Sequence, residues 1–226
     1  MTQRVPLGAT LRGDDLPLLH LFSRAEHYMG MPAVSPPDAP HWTAAMVREL
    51  PDDGNRYECI DGELLVTPAP RWRHQDVVGE LYMRLRTWLA EERVGKVTFS
   101  PADIEIVPDT LVQPDLFVVP RDAMGTLPQE WHEVSTLLLA IEVLSPSTAR
   151  YDRIIKRRLF ARAGVPEYWI VDMDARLIER WTPTDERPEI IGEDATLEWM
   201  PPGAKTPFRL PLGPFFEAIA AESVGN

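Results

Sequence analysis

Leu137-Leu138-Leu139-Ala140-Ile141-Glu142-Val143-Leu144 is a nearly unbroken apolar run with one acid inside it. A run of this length and continuity suits a strand covered on both faces, and Ser145-Pro146-Ser147-Thr148 stops it. Glu142 is then the most informative residue in the chain. An ionised carboxylate inside a buried strand is costly unless it is paired or binds a metal. A second acid, Asp115, heads the run Leu116-Phe117-Val118-Val119 directly after Gln113-Pro114. Neighbouring strands lie about 4.8 Å apart, so acids at matching heights can share one cation. Two plainer readings stay open: Glu142 bonded to an arginine such as Arg153 or turned outward at a strand end, and Asp115 as a turn cap.

Outward from this pair the chain reads as one α/β domain of about residues 41–183, with a mixed sheet and helices on its faces. Residues 1–40 end in a proline cluster and read as an extension. Thr43 is the expected N-cap of a short helix, and Asp61-Gly62 is the turn of a hairpin spanning Tyr57 to Val66. Val77, Val78, Leu81, Leu85, Trp88 and Leu89 recur at helical spacing in a long helix after Pro70, expected to close at Gly95. Lys96 to Ser100 and Asp103 to Val107 read as strands, and residues 151–163 as a helix ended by Gly164. Tyr168 to Asp172 and Leu177 to Trp181 read as a pair of strands. Residues 184–226 are expected as short strands and a last helix, from about Phe215, on the same domain.

Lys156 follows Glu142 by 14 residues, on the helix that must pack back over the sheet, and shares a face with Asp152 at i, i+4 spacing. An ammonium near two acids and a metal can orient or help activate a water. A solvated lysine paired with Asp152 is the plainer alternative. Arg150, Arg153, Lys156, Arg157, Arg158 and Arg162 make a positive stripe, able to track phosphates or simply to solubilise a helix face. Arg71, Arg73 and His74 would add donors on the same side; His74 reads equally as a helix-end or core histidine.

Composition narrows the classes. The chain has 226 residues and a formal charge of −12, so its surface as a whole repels nucleic acid and any such contact needs a local basic patch. No apolar run is long enough for a membrane helix, no secretory signal is expected, and the lone Cys59 fits a cytoplasmic protein. Phosphate-loop, dinucleotide and nucleophile-elbow patterns are absent, as is a Cys/His set for zinc.

Arg56-Tyr57-Glu58-Cys59-Ile60-Asp61-Gly62-Glu63, His74-Gln75, Gln113-Pro114-Asp115, Glu142 to Ser147, Asp152, Lys156 and Gly164 to Asp172 together resemble the Uma-two family of restriction endonucleases. That family lies within the PD-(D/E)xK superfamily, and the resemblance covers about residues 42–183. It implies a restriction-endonuclease-like core, Pro114-Asp115 as the PD element, and Glu142 as the second metal ligand. The usual lysine two positions after that acid is replaced by Leu144, and Lys156 resembles a migrated substitute. Glu58 or Glu63 would supply a further acid. The implied activity is hydrolysis of DNA with Mg²⁺ or Mn²⁺ held by Asp115, Glu142 and the Val143 carbonyl, and flanking phosphates held by Arg150, Arg153 and Arg157. A homodimer suits an enzyme that breaks both strands. The rival expectations are a catalytically inactive binding or scaffold protein with this fold and, more distantly, a metal-independent carboxylate-pair hydrolase.

Overall fold

The computed structural model describes residues 41–122 and 124–224. The expected extension, residues 1–40, lies outside them. Helix α1 (Ala44–Arg48) begins where the Thr43 hydroxyl accepts the Met46 N–H, which satisfies one of the open donors of the first turn. Strands β1 (Arg56–Ile60) and β2 (Glu63–Thr67) form the hairpin. Asp61 and Gly62 turn it with φ of 52° and 82°, the doubly left-handed geometry that matches the twist of the flanking strands.

Helix α2 (Trp72–Glu92) buries Val77, Val78, Leu81, Leu85 and Leu89 on one stripe. Its cap is not the expected Gly95. Arg93 takes the left-handed cap at φ 60° and its N–H returns to the Leu89 carbonyl. Gly95 instead opens β3 (Gly95–Phe99), where an added Cβ would stand 2.6 Å from the Val119 carbonyl. Close approach of two backbones explains that glycine, rather than helix termination.

Strand β4 (Ile104–Val107) is followed by β5 (Thr110–Val112), a three-residue strand the sequence reading misses. With β1 and β2 they form a four-stranded antiparallel sheet in the order β2-β1-β5-β4. The larger sheet contains β6 (Leu116–Pro120), β7 (Leu139–Val143), β8 (Tyr168–Asp172), β9 (Leu177–Trp181) and β10 (Glu189–Gly192). Its order is β10-β9-β8-β7-β6-β3, with β7 and β8 parallel and the other neighbours antiparallel. This is a mixed sheet.

The larger sheet has two cores. Leu139, Ile141 and Val143 of β7 point to the face covered by α2 and by the C-terminal elements β11 (Thr196–Trp199), β12 (Phe208–Pro211) and α4 (Leu212–Val224). There the Trp169 ring lies 5.8 Å from Trp199 and 6.3 Å from Phe208, so residues beyond β10 complete this core. Ala140 faces the other way, toward Phe117, Ile170, Leu159 and Phe160. Every residue of β7 is buried, which is why the run reads as apolar throughout. By alternation Glu142 shares the face of Ala140. That face is covered by α3, wound as a π-helix over Tyr151–Lys156 and an α-helix over Arg157–Arg162. No helix among the described residues is long and apolar enough to cross a membrane.

Candidate active site

Register brings the two acids together. Strand β6 pairs with β7 through Leu116–Ile141, and extending that antiparallel register by one position sets Asp115 opposite Glu142. Directly opposed residues have Cβ atoms about 4.5–5.5 Å apart. The Val143 N–H donates to Asp115 Oδ2 at 2.9 Å, which ties the head of β6 to the end of β7. Asp115 and Glu142 are 4% and 2% exposed, so neither carboxylate is turned out to solvent.

Asp115 is clamped from three sides. Besides Val143, Arg56 Nη1 donates to its Oδ1 at 2.8 Å and His74 Nε2 lies 3.0 Å from its Oδ2. Burial works against the charge, but the His74 hydrogen bond and the Arg56 and Lys156 cations outweigh it and hold this carboxyl far below the usual range. Arg56 also donates to the Gln113 carbonyl, and Ser100 Oγ donates to that of Pro114, so the turn presenting Asp115 is fixed.

Lys156 lies between the acids of both sheets. Its Nζ is 2.8 Å from Glu142 Oε1, 2.9 Å from Glu58 Oε2 and 3.8 Å from Asp152 Oδ1. Glu58 is fixed in turn by the Gln113 N–H at 2.7 Å. Desolvation disfavours the ammonium, but Glu142, Glu58 and Asp152 more than compensate and drive its pKa upward. Burial pushes Glu142 well above the normal carboxyl range despite Lys156, and raises Asp152 to about 6. Asp152 Oδ1 is buried with no hydrogen-bond partner, and so is His74 Nδ1.

The π-turn has a local role here. The Arg157 N–H reaches back to the Asp152 carbonyl, and the Tyr168 hydroxyl donates to the same oxygen at 3.0 Å. This widened turn lets Asp152 and Lys156 face the acids while Leu159 and Phe160 stay anchored in the core. π-Turns inserted in α-helices recur at functional sites.

These groups floor a cleft of about 630 Å³ whose walls include Arg71, Arg73, Ser145 and Asp174. The structure brings some of the expected residues together here and sets others apart. Glu63 lies at the far end of the hairpin, opposite Ile60 in register, and accepts from Tyr151; Glu58 is the acid that enters the site. The expected phosphate stripe divides, and only Arg153 of its three named arginines lines the cleft. Arg153 is already bonded to Glu179 at 2.6 Å and Asp172 at 2.9 Å. Arg157 lies over the Trp181 ring at 4.7 Å, and Arg150 is outside the lining. Arg56 is a site residue that no sequence pattern signals directly, since its contact with Asp115 spans 59 positions. Its one local signal is the alternation Arg56, Glu58, Ile60 along β1, which places two charges on the face of a core residue.

A mixed sheet carrying an acid pair at the adjoining ends of two strands, with helices on both faces, defines the class: restriction-endonuclease-like α/β proteins. The chain belongs to the Uma2 family, described as "putative restriction endonuclease", whose profile matches residues 44–205. Among solved structures it is similar to a protein from Anabaena variabilis described as a "putative nuclease belonging to DUF820". The two share 20% identity with a TM-score of 0.62, and the match covers 78% of this chain and 98% of the other. At that identity the likeness is one of fold. No curated protein matches the chain.

Proposed function

We propose that the chain is a metal-dependent endonuclease that hydrolyses phosphodiester bonds of DNA. The observation that carries the reading is the convergence of Asp115 and Glu142 from adjacent strands on a cleft floor that also holds a buried lysine. Family membership supports the same activity.

The residues fit a divalent cation. No three His, Cys, Asp or Glu side chains among the described residues stand together as a metal cage. Mg²⁺, however, is normally held by one or two carboxylates, with waters and substrate phosphate completing its shell. Four buried carboxylates here face two cations, Lys156 and Arg56, and one carboxylate oxygen, Asp152 Oδ1, accepts no hydrogen bond. Asp115 and Glu142 would hold Mg²⁺ or Mn²⁺, with the Val143 carbonyl as a further donor. Such an ion polarises a phosphate and lowers the pKa of an attacking water.

The chain's own groups supply the rest. Arg56, His74 and the Val143 N–H keep Asp115 ionised and aimed. Lys156, 2.8 Å from Glu142, places positive charge where negative charge develops on a phosphate. Arg71 and Arg73 stand on the cleft wall as phosphate donors. A homodimer would present two such clefts to opposite strands.

The test is nicking of supercoiled plasmid with Mn²⁺ by wild type, Asp115→Asn, Glu142→Gln and Lys156→Met. Loss of about a hundredfold or more in each variant is expected. Equal rates in all four proteins, or cleavage indifferent to chelator, would refute the reading. One observation favours a non-catalytic scaffold instead, namely that Lys156 is already paired with both Glu142 and Glu58. Negligible and equal Mg²⁺ binding by wild type and Glu142→Ala would decide for it.

A further inference from the structure

Arg73 links two walls of the cleft. It stands in the first turn of α2, and its Nη1 lies 3.3 Å from Asp174 Oδ1 on the turn between β8 and β9. Both residues line the cleft. The start of a helix carries partial positive charge and favours anions. Helix α2 nevertheless has no acid in its first turn and no side-chain cap at Arg71, and it places a second arginine at 73. The anion that meets Arg73 is supplied by another element, and the contact is the one a phosphate oxygen makes with a guanidinium.

This pair differs from the others in the cleft. Arg56 is bound to Asp115, and Arg153 to Asp172 and Glu179, acids that are 4%, 19% and 9% exposed. Asp174 is 86% exposed, so among the described residues only Arg73 of the paired cleft arginines has a partner lying largely in solvent. The turn does not depend on that side chain. The Asp174 and Ala175 N–H groups donate to Asp172 Oδ1 at 3.1 and 2.9 Å, and Arg153 Nη2 donates to Asp172 Oδ2 at 2.9 Å. The Asp174 carboxylate therefore swings into water while the turn stays in place. An exposed ion pair is worth only about a 1.5- to fivefold factor, weak enough for an incoming phosphate to break.

We infer that Asp174 is an internal mimic of a substrate phosphate: its carboxylate occupies Arg73 while the cleft is free, and a phosphate of the bound strand displaces it. The inference rests on the nuclease reading of the cleft and deepens it. It makes Arg73 the seat of a flanking phosphate and Asp174 the group that holds this seat against loosely attracted nucleic acid. Asp174 acts on binding alone and takes no part in the bond cleavage.

The experiment uses the full chain in Ca²⁺ at low salt, titrated into a fluorescein-labelled DNA duplex and followed by anisotropy. Wild type, Asp174→Asn, Asp174→Glu, Arg73→Met and the double variant Arg73→Met/Asp174→Asn are compared. Asp174→Asn is expected to tighten binding by about two- to fivefold, and Asp174→Glu, which keeps the carboxylate, to stay near wild type. In the Arg73→Met background the same Asp174→Asn change is expected to alter affinity by less than about 1.5-fold, since the contact it releases is already gone. An equal gain in both backgrounds would mean that Asp174 only repels DNA by its charge. Unchanged or weaker binding by Asp174→Asn would mean that the pair only ties α2 to the turn. Either result overturns the inference, as does a wild type that binds no DNA. The nuclease reading fails separately: a chain that shows this coupling but never nicks plasmid in Mn²⁺ keeps the phosphate mimic and loses the enzyme.

Discussion

Replacing Lys156 with methionine keeps most of the length of the side chain and removes its charge. The ammonium is 2% exposed and lies 2.8 Å from Glu142, 2.9 Å from Glu58 and 3.8 Å from Asp152. Its loss leaves three buried carboxylates without their shared counter-charge. Removing one partner of a buried ion pair costs about 3–5 kcal/mol, because the remaining charge is desolvated and unpaired. For a chain of this size each kcal/mol lowers Tm by about 2–4 °C, so Lys156→Met is expected to melt roughly 6–20 °C below wild type. Adding Glu142→Gln removes one of the stranded charges, so the double variant is expected to be more stable than the sum of the two single effects predicts, by about 0.5–3 kcal/mol. The assay is thermal and urea unfolding of the four proteins of the cycle. A Lys156→Met protein within about 1 kcal/mol of wild type, or strictly additive effects, would refute the claim that this lysine joins the acids into one buried unit.

Three further outcomes follow from named contacts. Thr43→Ala removes the hydroxyl that caps α1 and is expected to cost about 1 kcal/mol in urea unfolding, while Thr43→Ser restores most of it. Tyr168→Phe deletes the donor to the Asp152 carbonyl at the π-turn and is expected to cost about 1 kcal/mol; amide exchange of residues 151–157 is expected to speed up more than that of β8. Burial opposes ionisation of Asp172, but the Ala175 N–H and Arg153 hold its carboxyl below the ordinary value, so its stabilisation is present above about pH 4 and fades as pH falls through the lower folded value. The urea midpoints of wild type and Asp172→Asn are therefore expected to differ at pH 7 and to converge toward pH 3.

What the sequence makes legible depends on whether the signal is local. The β7 run announces itself because both faces of that strand are covered, and Glu142 is conspicuous against it. The hairpin is equally plain, since Asp61-Gly62 is a turn within two residues. Strand β5 is not, for it holds three residues and pairs with β1 and β4, neither of which its own pattern can indicate. The choice between Glu58 and Glu63 depends on hairpin register against the other sheet, and the arginine stripe on helical phase across a π-turn. Arg56 clamps Asp115 across 59 positions, a contact that no periodicity encodes.

Lys156 also has a mechanical consequence. Glu58 belongs to the four-stranded sheet and Glu142 to the six-stranded one, so a single ammonium rivets two separately hydrogen-bonded layers. Whatever binds among these acids tightens or loosens that seam as it does so. Occupancy of the cleft is then legible as joint slowing of amide exchange along Arg56–Ile60 and Leu139–Val143, strands that share no backbone hydrogen-bond ladder.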